Sequence, residues 1–130
     1  PEMGRRLKEK GIRPDIVICS PARRAVETLD LVNAELGVPE NSIYMQKRIY
    51  EASTETLLEL LQSQKDTYDS AMVVGHNPSM TWLAEGLTEA TIQNLPTCSV
   101  VTISLDSNQW NKAGNCPAEL LNLDYPKKEV

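Results

Sequence analysis

The stretch Ala71-Met72-Val73-Val74-Gly75-His76-Asn77-Pro78 decides how this chain is read. Its apolar half is a short strand. Gly75 and His76 follow at the carboxyl end of that strand, and Pro78 opens a helix, where a missing backbone N–H costs nothing. The stretch contains the only histidine among 130 residues. The same grammar occurs earlier: Ile16-Val17-Ile18-Cys19 is apolar and largely β-branched, and Ser20-Pro21-Ala22-Arg23-Arg24-Ala25 turns it into a helix. Continuous apolar strands are buried on both faces, as in a parallel sheet. Open α/β sheets build their crevices outside the carboxyl ends of such strands. One strand end delivers an arginine and the other a histidine, each beside a helix N-terminus. That combination makes a place for an anion, above all a phosphate.

The rest of the chain falls into line around these two stretches. Residues 1–10 read as a helix stopped by Gly11. In the helix over 21–36, Ala25, Leu29, Val32 and Leu36 form an apolar stripe, and Gly37 ends it. Residues 43–45 are a second strand, and 48–52 are loop or a strand end. Ser53 caps a helix over 54–64, with Leu57, Leu58, Leu60 and Leu61 toward the core. The helix over 78–86 is expected to turn Trp82 and Leu83 inward. Residues 97–105 alternate as a half-buried strand, 108–111 make a turn, and 120–123 form a last strand antiparallel to its neighbour. The tail 126–130 is expected to fray. This order predicts the α/β class: one three-layer domain over 1–130, a mostly parallel sheet with helices on both faces.

The totals narrow the function. At 41% hydrophobic and 24% charged residues, this is an ordinary globular composition. The net charge of −5 argues against a nucleic-acid partner, because a phosphate backbone needs a basic face. No apolar run approaches the ~18 residues of a membrane span, and nothing has the pattern of a signal peptide. Cys19, Cys98 and Cys116 are odd in number and widely spaced, which reads as reduced thiols and a cytoplasmic location. There is no P-loop, no dinucleotide fingerprint and no nucleophile elbow. One histidine with scattered acids makes no zinc site.

Five residues are candidates for chemistry. Arg23 and Arg24 lie early in a helix, where the macrodipole disfavours cations. Either both are solvated surface groups, or an anion normally sits there. Neighbours on a helix point ~100° apart, so one can serve the site while the other faces water. His76 is either structural or a ligand of that anion. Asn77 can offer it a backbone N–H or its amide. Glu51, after an aromatic on a loop, is either a general acid or a plain solvated glutamate.

These residues carry a resemblance. Ser20-Pro21-Ala22-Arg23-Arg24-Ala25-Val26-Glu27-Thr28, Tyr50-Glu51-Ala52, Val73-Val74-Gly75-His76-Asn77-Pro78 and Leu95-Pro96-Thr97 together resemble the histidine phosphatase superfamily, and within it the short SixA-type phosphohistidine phosphatases. The resemblance runs in order along nearly the whole chain. It implies a phosphoglycerate-mutase-like fold, with Arg24 as the pocket arginine and His76 as the second histidine, both catalytic and both binding phosphate with help from Asn77. It implies no cofactor and no metal. In that family the nucleophile stands in an Arg-His-Gly motif on the first strand and forms a phosphohistidine intermediate. No Arg-His-Gly occurs here, so the chain is expected to be N-terminally incomplete and inactive as it stands. Only residues 52–74 separate Glu51 from Gly75, which leaves little material for a lid. An open site suits a phosphorylated protein, such as a phosphohistidine signalling domain, more than a small phosphoester. The alternative is a non-catalytic phosphate- or phosphoprotein-binding module.

Overall fold

A computed structural model describes residues 2–49, 53–75, 79–89, 91–92 and 100–124. Its elements in chain order are α1 (Glu2–Glu9), β1 (Ile16–Cys19), α2 (Arg23–Leu36), β2 (Ile43–Met45), α3 (Thr54–Gln62), β3 (Ala71–Val74), α4 (Ser79–Thr88), β4 (Val100–Leu105) and β5 (Ala118–Asp124). Single 3-10 turns cover Glu40–Ser42, Lys47–Ile49 and Trp110–Lys112. The chain divides into two compact units, Pro1–Tyr50 with Thr67–His76, and Glu51–Asp66 with Asn77–Val130.

The first unit is built on a parallel sheet in the order β2-β1-β3. β1 lies in the middle and all four of its residues are buried, as its unbroken apolar run requires. Cys19 pairs with Met45 on one side and Val74 on the other, so the three strands end level. At the opposite end, the Asp15 carboxylate accepts the N–H groups of Asp69 (2.8 Å) and Ser70 (3.3 Å), while Asp15 N–H donates to the Ser70 carbonyl. β2 and β3 are the edges among the described strands. Tyr44 and Met45 on β2 are exposed, and β3 is half-buried along its length.

α2 buries Ala25, Leu29, Val32 and Leu36, the stripe expected from the sequence, and ends at Gly37 with φ +68°. It begins at Arg23 rather than residue 21, because Pro21 and Ala22 form the turn out of β1 and Ala22 is extended (φ −61°, ψ 142°). α1 packs on α2 through Met3 and Leu7 and through Gly4. A Cβ at Gly4 would lie 2.6 Å from the Val32 carbonyl oxygen, so only glycine allows this approach.

The second unit joins α3 and α4 to the antiparallel pair β4 and β5. Ser53 caps α3 by accepting the Thr56 N–H at 3.2 Å. Leu57, Leu60 and Leu61 are buried, whereas Leu58 is half-buried against Gly114. Gln62 donates to the Ala113 carbonyl (2.8 Å) and Asp66 accepts the Trp110 N–H (2.9 Å), which fastens the turn before β5 to the end of α3. Trp82 is not turned inward: it is 54% exposed, while Thr81, Leu83 and Ala84 are buried. Successive residues on a helix turn by ~100°, and Trp82 falls on the exposed stripe with Gly86, beside the face that buries Leu83 and Ala84. β5 is longer than expected and antiparallel to β4, with a bulge at Leu121 where the register slips by one. The expected loop or strand end at 48–52 is a 3-10 turn as far as Ile49, and the part from 50 onward lies outside the described residues. Residues 97–99 and the tail 126–130 lie outside them too.

Candidate functional site

The carboxyl ends of β1 and β3 are joined by a single buried residue. Ser20 is 0% exposed, and its backbone N–H donates to the Val74 carbonyl at 2.9 Å, extending the ladder one step past the strands. Its side-chain oxygen accepts the Ala22 N–H at 3.2 Å, closing the turn into α2. On the other side, Gln46 N–H donates to the Cys19 carbonyl at 2.8 Å. The first intrahelical bond of α2 runs from Val26 N–H to Ala22 C=O at 3.0 Å. The N–H groups of the first turn therefore point outward at the head of the helix.

Arg23 and Arg24 stand on that first turn, which carries no acidic residue. They differ in partner. Arg23 turns back along the helix, where its Nε donates to Glu27 Oε1 at 2.8 Å, an i,i+4 ion pair in the open. Arg24 is exposed and has no hydrogen bond or ion pair among the described residues. Its guanidinium is thus a planar fork left available beside a helix N-terminus, the geometry that holds two oxygens of one phosphoryl group.

β3 leads to Gly75, which is half-buried one residue past Val74. His76, Asn77 and Glu51 lie outside the described residues, so the structure brings Arg24 and the end of β3 into one unit and describes the three side chains no further. Cys19 carries the thiol next to the turn, and it is disqualified as a nucleophile. It is wholly buried, its Sγ donates to the Ser20 carbonyl at 3.2 Å, and burial, aided by the Asp30 carboxylate, pushes its thiol up to about 11. A cavity of about 410 Å³ opens in the second unit between Thr88, Glu89, Asn115 and Cys116, and none of the five candidates for chemistry lines it. Among the described residues no helix is long and apolar enough to cross a membrane. Sequence reasoning passed over Ser20 as one letter of a motif. The signal was a serine directly after a buried strand and before proline, a pattern that favours a side-chain-closed turn.

No family model matches the chain. An uncharacterized protein of Mycobacterium leprae is 25% identical over 120 residues, covering 85% of this chain and 71% of that protein. Three solved structures share the fold. A candidate phosphohistidine phosphatase SixA from Nakamurella multipartitia superposes with a TM-score of 0.81 at 18% identity, over 98% of this chain and 79% of the other. Its counterpart from Agrobacterium tumefaciens gives 0.79 at 24% identity, over 96% and 76%. The protein histidine phosphatase SixA complexed with tungstate gives 0.79 at 22% identity, over 94% and 75%. The chain therefore has the α/β, phosphoglycerate-mutase-like fold of the SixA structures, and the resemblance read from its motifs holds at the level of the fold.

Proposed function

We propose that residues 1–130 are one histidine-phosphatase-like domain that handles a phosphoryl group at the carboxyl ends of β1 and β3, and that its substrate is phosphohistidine on a protein. The observation that carries this reading is the contrast on the first turn of α2. Arg23 is paired with Glu27, while Arg24, the arginine at the Ser-Pro-x-x-Arg spacing, has no partner among the described residues. A helix start with two cations and no acid is unfavourable unless an anion visits it. The tungstate in one SixA structure is a tetrahedral oxyanion, a species of the same shape and sign as phosphate.

In this reading Arg24 grips two phosphoryl oxygens and His76 donates hydrogen bonds to oxygens that gain charge as phosphorus is attacked. Asn77 and the α2 N-terminal amides complete the cradle. Glu51 is a general acid of secondary weight, because the imidazole leaving group of phosphohistidine needs little protonation help. The attacking imidazole is not among these residues: the chain has one histidine, and it is assigned to the second role. That single histidine also favours a second reading, a non-catalytic module that binds a phosphoprotein through Arg24 and His76.

A hydrolysis assay with a phosphohistidine-bearing protein separates the two. The 130-residue chain alone should show no turnover. The same chain supplied with a strand ending in Arg-His should release phosphate, and Arg24→Ala should abolish that release. Turnover by the 130 residues alone contradicts the mechanism. No turnover in either form leaves the binding module.

A further inference from the structure

We infer that Ser20 is the positioning residue of this site, the one group that sets Arg24 and the end of β3 in register with each other. The inference rests on the reading of Arg24 as the anion ligand. Ser20 is 0% exposed and bonds in both directions: its N–H to the Val74 carbonyl at 2.9 Å, and its side-chain oxygen to the Ala22 N–H at 3.2 Å. The first bond fixes where β3 releases the chain into Gly75. The second fixes the angle at which the chain enters α2, and Arg24 follows two residues after Ala22. Pro21 cannot donate a hydrogen bond and holds its own φ, so the Ser20 side chain is the closing contact of that turn. Neither end of the site can rotate without breaking a bond to this one buried residue. Oxyanion binding depends on such fixed geometry, since a fork that must be ordered on binding loses affinity.

The test is titration of the 130-residue chain with inorganic phosphate, together with thermal melting. Wild type should bind and Arg24→Ala should not. Ser20→Ala should bind roughly tenfold more weakly, the worth of about one ordering hydrogen bond. Ser20→Thr, which keeps the hydroxyl, should recover most of the affinity. Leu36→Ala, in the core at the far end of α2, should lower the melting temperature without weakening phosphate binding. If Ser20→Ala does not fold, Ser20→Cys fills the same space with a poor acceptor and should show the same tenfold loss. Wild-type affinity in Ser20→Ala or Ser20→Cys, or equal losses in Ser20→Ala and Leu36→Ala, overturns the positioning role and leaves the site intact. Equal binding by wild type and Arg24→Ala overturns the site itself, and this inference with it.

Discussion

Arg23 and Arg24 are the same side chain one residue apart, and their partners separate them. Arg23 already satisfies a charge-assisted hydrogen bond to Glu27, at the surface and with 91% of its side chain exposed. Such an exposed pair contributes little to stability. Replacing Arg23 by alanine should therefore change phosphate affinity little. Replacing Arg24 should cost about 1.5–3 kcal/mol of binding, the range for hydrogen bonds to a charged group. Isothermal titration of the two variants checks this, and equal effects would mean that the motif has been aligned one residue out of place. Helical spacing alone leaves Arg23 and Arg24 undecided, because it says that they diverge and not which of them finds an acid; only the motif resemblance selects Arg24. Glu27 was legible four residues on from Arg23, and that i,i+4 relation was the available clue. His76→Ala should lose phosphate affinity and keep its melting temperature; a fall in melting temperature with unchanged affinity assigns His76 to structure instead.

At the scale of elements, the clearest signals were those enforced by burial on a fixed period. β1 is apolar throughout and buried throughout, and the α2 stripe of Ala25, Leu29, Val32 and Leu36 is the face packed inward. Trp82 departs from the expectation because phase on the helix, not size and hydrophobicity, decides which side chains face inward. β3 has the composition of a central strand and is only half-buried, being an edge among the described strands. Composition reports what a strand can tolerate on its faces, not how many neighbours it has. Gly4→Ala should raise helix propensity in α1 and still destabilise the protein by about 1–3 kcal/mol, because its Cβ meets the rigid Val32 carbonyl at 2.6 Å; urea unfolding measures the sign. Cys19 sits at the end of β1 with its thiol raised from 9.0 to about 11. The folded state holds that proton more tightly than the unfolded state does. Its contribution is present in full below pH 9 and is lost as pH rises through about 11. The stability of wild type relative to Cys19→Ala should thus fall over that window and be flat below it, as read from denaturant midpoints at a series of pH values. In a Cys98→Ala background at neutral pH, a thiol reagent should label half-buried Cys116 well before Cys19.

For the molecule as a whole, we propose that an acidic chain of net charge −5 keeps one place for an anion, where an arginine and its only histidine follow, in sequence, neighbouring parallel strands. The proposed site is linked to the fold by topology: β1 and β3 are parallel and end level, so the segments that follow them start from one edge of the sheet. The measurement that tests this most directly is side-chain nuclear magnetic resonance during titration with inorganic phosphate or tungstate. A single histidine gives one set of imidazole signals, and Arg24→Ala identifies the Arg24 Nε–H signal by its disappearance. The account predicts that the imidazole and Arg24 signals move together along one saturable curve while the Arg23 signal, held by Glu27, stays in place. An anion that binds and leaves the imidazole unmoved, or that shifts Arg23 and not Arg24, would contradict it.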